Sequence, residues 1–131
     1  MTTRVVDASV VLAYLGDESG ADAAEELLDD HRRGDVAAFV APILPLEVMN
    51  VLLRSWRLPS DEAELRMRWL GALGFGSGEP DEARIFAWTV AGLTAYDASY
   101  VALAEQLGCE LVTADRQIVE LASGTARPLV A

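Results

Sequence analysis

The first clear pattern in the sequence is Val5-Val6-Asp7-Ala8-Ser9-Val10-Val11-Leu12, where a short apolar run ends at an aspartate and apolar residues continue at helical spacing. This pattern predicts a buried strand that leads directly into a helix. A similar arrangement, Leu111-Val112-Thr113-Ala114-Asp115, predicts a strand over 110–113 and a short helix over 115–121. Each of these strands is therefore followed by an aspartate.

Between these two stretches, strand and helix patterns alternate. Gly34 and Gly108 are predicted to end helices, and Ser60 to cap the start of one. Further helices are predicted over 21–33, 46–56, 60–73, 81–91 and 96–107, and further strands over 36–41, within 74–80 and over 128–130. Alternation with short connections predicts an α/β fold around a parallel sheet. Because sites in such sheets lie outside the carboxyl ends of the strands, Asp7 and Asp115 are expected on one edge.

Length and composition indicate one globular domain over residues 1–131, with 52% apolar residues. No apolar run is long enough to span a bilayer, and the first residues do not resemble a signal peptide. Cys109 is the single cysteine and lies in an apolar neighbourhood, so we expect a buried, inert thiol. These observations predict a cytoplasmic protein.

The net charge of −11 argues against a protein that binds nucleic acid by bulk electrostatics. Lysine is absent, and all ten basic residues other than the single histidine are arginines. An acidic surface also keeps a protein soluble, which is its simplest explanation. Any binding of a polyanion would need a divalent metal and locally placed arginines.

Four acidic residues lie at the edges of apolar segments or within them, and each has a local explanation. Asp7 and Asp115 could cap the helices that follow them. Glu47 lies in the first turn of a helix, where negative charge suits the helix dipole. The segment Thr94-Ala95-Tyr96-Asp97 has the spacing of a capping box. Taken singly, capping explains any one of these acids as well as a functional role does.

Taken together, the four acids favour a metal site. Their apolar surroundings make an unpaired carboxylate costly, and Arg116 is the only basic residue close to one of them in sequence. Carboxylates that converge raise one another's pKa, and a hard divalent cation relieves that repulsion. The acids therefore predict Mg²⁺ or Mn²⁺, which could activate an attacking water and stabilise charge on a phosphoryl group.

Four segments carry a resemblance to a known family. They are Val5–Val10, Pro45–Leu52, Leu93–Glu105 and Leu111–Asp115, and their order and spacing extend over nearly the whole chain. In these segments the sequence resembles the PIN-domain ribonucleases, and among them the VapC toxins of bacterial type II toxin–antitoxin pairs. The resemblance implies a three-layer α/β/α sandwich and an endoribonuclease that uses Mg²⁺ or Mn²⁺. It also implies an RNA substrate, a homodimer and a partner antitoxin.

The resemblance also implies roles for individual residues. The metal ligands and catalytic acids would be Asp7, Asp97, Glu47 and Asp115. The supporting polar residues would be Ser9, Asn50 and Thr113. Many relatives carry a further acid shortly after the position of Asp115, where this chain has Arg116 and Gln117, and this departure puts a second metal in question. Arg116 could contact RNA phosphate or pair with an acid.

The sequence also bears on functions other than that of a toxin. A haloacid-type phosphatase needs an aspartate where Ser9 stands, and a receiver domain needs a lysine, which this chain lacks. An RNA-processing nuclease outside a toxin role would use the same acids. A non-catalytic binding module with the same fold would not need all four, and all four are present.

Outside the four acids, the sequence offers a histidine, three tryptophans and a glycine-rich stretch as candidate ligands or contacts. His31 lies between Asp30 and Arg32, which predicts a solvated surface position. Trp56, Trp69 and Trp88 are expected in the core or at an interface. Trp56 and the helix around Trp69, with Arg54, are candidate contacts for an amphipathic antitoxin helix. The glycines at 74, 76 and 78 lack the spacing of a phosphate-binding loop.

Overall fold

The computed structural model describes residues 1–16 and 20–130. Within them, five strands form one parallel sheet in the order β3-β2-β1-β4-β5. The strands are β1 (Thr2–Val6), β2 (Val36–Val40), β3 (Gly76–Ser77), β4 (Glu110–Thr113) and β5 (Ala126–Pro128). The predicted parallel sheet is confirmed, and β1 and β4 lie beside each other near its centre.

Helices cover the sheet and give the predicted α/β/α architecture. They are α1 (Ala8–Gly16), α2 (Ala21–Arg33), α3 (Leu44–Asn50), α4 (Ser60–Ala72), α5 (Glu82–Val90), α6 (Ala95–Leu107) and α7 (Arg116–Leu121). A π-helical turn, Val51–Ser55, continues α3. In the part of the chain that is described, no helix has both the length and the apolar character that crossing a membrane would require.

The core lies around the two central strands and α6. Val5 and Val6 of β1 and Leu111 of β4 are completely buried, as expected for parallel strands covered on both faces. Seven consecutive residues of α6, from Ala98 to Ala104, are also buried. Because α6 is buried over most of its length, polar side chains near its first turns have fixed surroundings.

Two helix ends follow the sequence pattern, whereas one predicted helix cap and the bounds of the last strand do not. Gly34 and Gly108 end α2 and α6 in the left-handed region, at φ 82° and 65°. The predicted cap at Ser60 is wrong: Pro59 occupies the N-cap position, and Ser60 is the first helical residue. The last strand lies at 126–128 rather than 128–130, and Pro128 is tolerated there because β5 is an edge strand.

The prediction for His31 is also wrong. Its side chain is partly buried, where Nδ1 accepts the Ala38 N–H at 3.1 Å and Nε2 lies 2.8 Å from the Leu73 carbonyl oxygen. Its ring stacks on Phe75 at 5.3 Å between centroids. His31 therefore links α2 to β2 and to the end of α4. Its charged sequence neighbours concealed these contacts, which are distant along the chain.

Candidate active site

The carboxyl ends of β1 and β4 form the centre of the candidate site. Val6 pairs with Val112 in the parallel register, so the next residues, Asp7 and Thr113, leave neighbouring strands side by side. Asp7 is 4% exposed and Thr113 is completely buried. The sheet edge predicted for Asp7 and Asp115 is thus where the structure places both aspartates.

The Asp7 carboxylate accepts three hydrogen bonds. The backbone N–H of Ser9 lies 3.1 Å from Oδ1, and the Ser9 hydroxyl donates to the same oxygen at 2.5 Å. The Thr113 hydroxyl donates to Oδ2 at 2.5 Å. Because a carboxylate has about four acceptor directions, one on Oδ2 remains for another ligand.

The two hydroxyls also connect the loops on which the acids stand. Ser9 Oγ accepts the Ala114 N–H at 2.8 Å, and Thr113 Oγ1 accepts the Asp115 N–H at 3.0 Å. The two hydroxyl oxygens are 3.3 Å apart. The predicted supporting residues Ser9 and Thr113 therefore hold the β1–α1 and β4–α7 junctions together.

Capping and clustering, which the sequence left as alternatives, occur together. Asp115 accepts the Gln117 and Ile118 N–H groups at 2.8 and 3.3 Å and so caps α7. The Thr94 hydroxyl accepts the Asp97 N–H at 3.1 Å, which is one half of a capping box. The capping of α6 uses the Asp97 backbone, so its side chain is left for the site.

Glu47 reaches the cluster from α3 and has a buried partner. The Tyr100 hydroxyl donates a short hydrogen bond to Glu47 Oε1. Tyr100 is 1% exposed and lies one turn after Asp97 on α6. No pattern in the sequence assigns Tyr100 a role; its three-residue spacing from Asp97 indicates only that the two residues share a face of α6.

The acids influence one another electrostatically. Burial raises the pKa of Asp7 to about 6, and the charge of Asp97 contributes to that rise. Burial also raises the pKa of Glu47, with a smaller contribution from Asp97. The pKa of Asp97 is raised by burial and then by the charge of Asp115. Burial, followed by the hydrogen bond to Glu47, raises the pKa of Tyr100, which therefore keeps its proton.

No cationic side chain in the described part of the chain pairs with these carboxylates. Within residues 1–16 and 20–130, none of the four acids takes part in an ion pair with an arginine, histidine or the N-terminus. The structure thus leaves a group of partly buried carboxylates in mutual repulsion, which costs free energy that a bound cation would recover.

A divalent cation fits this donor set by its chemistry. No three acidic, histidine or cysteine side chains of the described residues converge closely enough to form a complete ligand cage. Mg²⁺ does not need such a cage, since it usually keeps several waters and binds through one or two carboxylates. All available donors are oxygens, and Asp7 has a free acceptor direction.

The remaining predicted site residues lie at the margin. Asn50, the last residue of α3, is exposed, and its side chain makes no hydrogen bond to the described part of the cluster. Arg116 is exposed and makes no ion pair within the described ranges, so pairing with an acid there is not supported. Arg116 lines a cleft of about 540 Å³ with Thr113, Asp115 and Leu129.

The sequence is similar to a known protein family over most of its length. The sequence profile of the family described as PIN domain matches residues 4–124. Ribonuclease VapC3 of Pyrobaculum aerophilum is 36% identical over 127 residues, which cover 88% of this chain and 92% of that protein. Ribonuclease VapC9 of Mycobacterium tuberculosis is 66% identical over 32 residues, 24% of this chain and 25% of that protein.

A solved structure shares the fold. The crystal structure of PAE2754 from Pyrobaculum aerophilum superposes with a TM-score of 0.72, covering 98% of this chain and 84% of that chain. The sequence identity is 22%, so this likeness concerns the fold alone.

Proposed function

This chain belongs to the PIN-domain family, and from that premise we propose that it is a Mg²⁺- or Mn²⁺-dependent endoribonuclease, the toxin of a type II toxin–antitoxin pair. The observation that carries the proposal is the group of four electrostatically coupled carboxylates, to which no cation of the described residues is paired. The ribonuclease names of the relatives agree with it.

The four acids have different tasks in this mechanism. Asp7 and Asp97 are the proposed principal ligands, because Asp7 is fixed by three hydrogen bonds and the charge of Asp97 acts on it. Glu47 and Asp115 complete the negative site from two other elements. When bound, the ion would orient and activate the attacking water and stabilise charge on the phosphoryl group.

The direction of attack determines the products. Water attack in line with the leaving 3′-oxygen gives a 5′-phosphate and a 3′-hydroxyl. Ser9 and Thr113 keep Asp7 in one orientation, and its Oδ2 retains an acceptor direction that a cation could use. Arg116 lines the cleft beside Asp115, and in this mechanism it would contact an RNA phosphate.

Apolar side chains exposed on α3, α4 and the π-helical turn support an antitoxin surface. These residues, hereafter the α3–α4 surface, are Leu46, Met49, Leu53, Leu65 and Trp69. An amphipathic helix could cover such side chains. Arg54 lies on the same turn, whereas Trp56 is partly buried against Gly16 and is left out of the contact set. A basic side chain of the antitoxin would then extend to Asp7, Glu47 and Asp97.

A second uncharged face suits a second copy of the chain. Phe86 and Val90 are 72% and 73% exposed one turn apart on α5, and Ala83 and Ala87 lie on the same face. Because each chain carries a charge of −11, a self-association face is expected to be free of charged residues at its centre. We place the proposed homodimer there and the protein in the cytoplasm.

The function is tested by cleavage of RNA by the purified chain. Cleavage should require Mg²⁺ or Mn²⁺, stop with EDTA, and leave 5′-phosphate and 3′-hydroxyl ends. A 2′,3′-cyclic phosphate would contradict the water mechanism, because it arises from attack by the RNA's own 2′-hydroxyl. No metal-dependent cleavage of any RNA would favour a non-catalytic binding module.

A matched pair of variants separates catalysis from helix capping at Asp97. Asp97→Asn keeps the backbone N–H that Thr94 caps, so we expect a folded, inactive protein. Thr94→Ala removes the cap, which is worth about 1 kcal/mol of stability, but should keep the specific activity of the folded fraction. The opposite result, an unfolded Asp97→Asn with normal specific activity, would make Asp97 a structural residue.

A further inference from the structure

One buried hydroxyl links the two helices that bring Glu47 and Asp97 to the site. Tyr100 and Asp97 lie three residues apart on α6 and so share a face of that helix. The Tyr100 hydroxyl donates to Glu47 Oε1, on α3, 53 residues away in sequence. In the part of the chain that the structure describes, this is the one side-chain hydrogen bond that Glu47 makes.

We propose that Tyr100 is a positioning residue, which holds the Glu47 carboxylate towards Asp97 and the cation that these acids would bind. The inference rests on the proposed metal-dependent function and adds to it a residue outside the four acids. A tyrosine hydroxyl has one proton to donate, so it fixes Oε1 and leaves Oε2 for a ligand. Burial of the ring at 1% exposure fixes the hydroxyl itself.

Glu47 depends on this one hydrogen bond more than Asp7 or Asp115 depends on any single bond of its own. Asp7 has three hydrogen bonds to its carboxylate and Asp115 has two. Glu47 has a longer side chain, is itself half-buried, and has two exposed neighbours on α3, Leu46 and Met49, at 57% and 40% exposure. Without Tyr100, its carboxylate would be free to turn to solvent. Partners of this kind typically change metal affinity by about 10- to 100-fold.

The test is a titration of the metal-free protein with Mn²⁺. The electron paramagnetic resonance signal of the free ion measures how much Mn²⁺ is bound. Tyr100→Phe removes only the hydroxyl and should raise the dissociation constant about 10-fold. Tyr14→Phe is the matched control, because it also loses a bonded hydroxyl, 2.6 Å from Arg32 at the far end of α1. Its Mn²⁺ affinity should equal that of the unmodified chain.

A double variant shows whether Tyr100 acts through Glu47. Glu47→Ala removes the acceptor of the Tyr100 hydroxyl and should weaken Mn²⁺ binding, and adding Tyr100→Phe to it should weaken binding no further. A merely structural tyrosine would instead give the same fold-change in both backgrounds. That outcome, or an unchanged dissociation constant for Tyr100→Phe, would overturn the proposal while the metal site stands. If the unmodified chain binds no Mn²⁺, the proposed function falls as well.

A measurement on the unmodified sequence covers the case in which Tyr100→Phe does not fold. The chain has three tyrosines, so labelling with tyrosine that carries ¹³C at the ring carbon bearing the hydroxyl gives three resonances. Titration with Mg²⁺ should shift the Tyr100 resonance, and the same titration of Glu47→Ala should leave it in place. A Tyr100 chemical shift that is unchanged at saturating Mg²⁺ would contradict the inference.

Discussion

At the scale of single residues, Asp7 shows why a functional acid can be confused with a structural one. The same carboxylate caps the first turn of α1 through the Ser9 N–H and is joined to β4 by the Thr113 hydroxyl. Its pKa is also raised by the negative charge of Asp97. Hydrogen bonds favour its ionised form, yet burial outweighs them and raises its pKa to about 6. Ionisation of Asp7 therefore costs the folded chain free energy, and the proposed cation would offset that cost.

The pKa of Asp7 predicts a specific dependence of stability on pH. Its pKa is about 6 in the folded chain against an ordinary 3.8, so the folded state binds the proton more tightly. The metal-free protein should therefore lose stability as pH rises from about 4 to 6 and stay at the lower level above that range. Asp7→Asn removes this penalty and should raise Tm at pH 7.5 by on the order of 5 °C.

Thermal melts in EDTA at several pH values measure this effect. The gain from Asp7→Asn should vanish near pH 4, and excess Mg²⁺ should stabilise the unmodified chain but not the variant. Glu26→Gln, on the exposed face of α2, is a control for loss of one negative charge. A variant that is less stable than the unmodified chain at pH 7.5 would show that the hydrogen bonds to Asp7 matter more than its desolvation.

At the scale of helices and strands, the sequence predicted what depends on local pattern. The strand over 110–113 and the helix over 21–33 have the predicted bounds, because buried apolar runs and terminal glycines determine them. The Ser60 cap failed because Pro59, with its fixed φ, already occupies the extended position before the helix. The π-helical turn at Val51–Ser55 has no pattern by which it could be predicted.

The site was predictable in its acids and not in their partners. Asp7 and Asp115 follow strands, and parallel strands bring such residues to one edge, so their proximity follows from topology. The bond from Tyr100 to Glu47 joins residues 53 positions apart, and His31 joins α2 to residues after α4. Such contacts depend on how helices pack across the sheet, which a single sequence does not encode in any local pattern.

The packing of α1 against the π-helical turn gives a prediction at this scale. A Cβ at Gly16 would overlap the Trp56 ring, whereas a Cβ at Gly71 in α4 would meet nothing within 4 Å. Gly16→Ala should therefore destabilise the chain by about 1–3 kcal/mol, and Gly71→Ala should stabilise it by about 0.5–1 kcal/mol. Urea unfolding of both variants measures the difference. Equal stabilities would mean that Trp56 can move aside freely.

At the scale of the whole molecule, the arrangement of positive charge explains how an acidic chain could bind RNA. Seven of the ten arginines are in ion pairs within the described ranges. The three without one there are Arg54, Arg57 and Arg116. Arg116 adjoins Asp115, and Arg54 and Arg57 follow the helix that carries Glu47. Of these three arginines, Arg116 is the one that lines a cleft together with an acid of the proposed site.

Removal of one of these charges should weaken RNA binding in a way that depends on salt. In the Asp97→Asn background, where RNA is not cut, Arg116→Ala should reduce the slope of log affinity against log salt by about 0.7. Arg68→Ala is the control, since Arg68 is exposed and paired with Glu64 at 2.7 Å on α4. Fluorescence anisotropy with a short RNA measures both. An unchanged slope for Arg116→Ala would remove Arg116 from the substrate path.

The two exposed apolar faces predict that the antitoxin and the second copy of the chain bind at separable places. Leu53→Ser, on the α3–α4 surface, should lower affinity for the proposed antitoxin, to be sought as the product of a neighbouring gene, while leaving dimerisation and cleavage intact. Phe86→Ser, at 72% exposure on α5, should shift the chain towards monomer and leave antitoxin binding in place. Co-purification and sedimentation measure the two properties. Loss of antitoxin binding in Phe86→Ser alone would exchange the two assignments.

A basic side chain of the antitoxin is expected to insert among the acids, because a charge-assisted pair satisfies the same carboxylates as a cation. Full inhibition by an antitoxin fragment without basic residues would exclude that insertion.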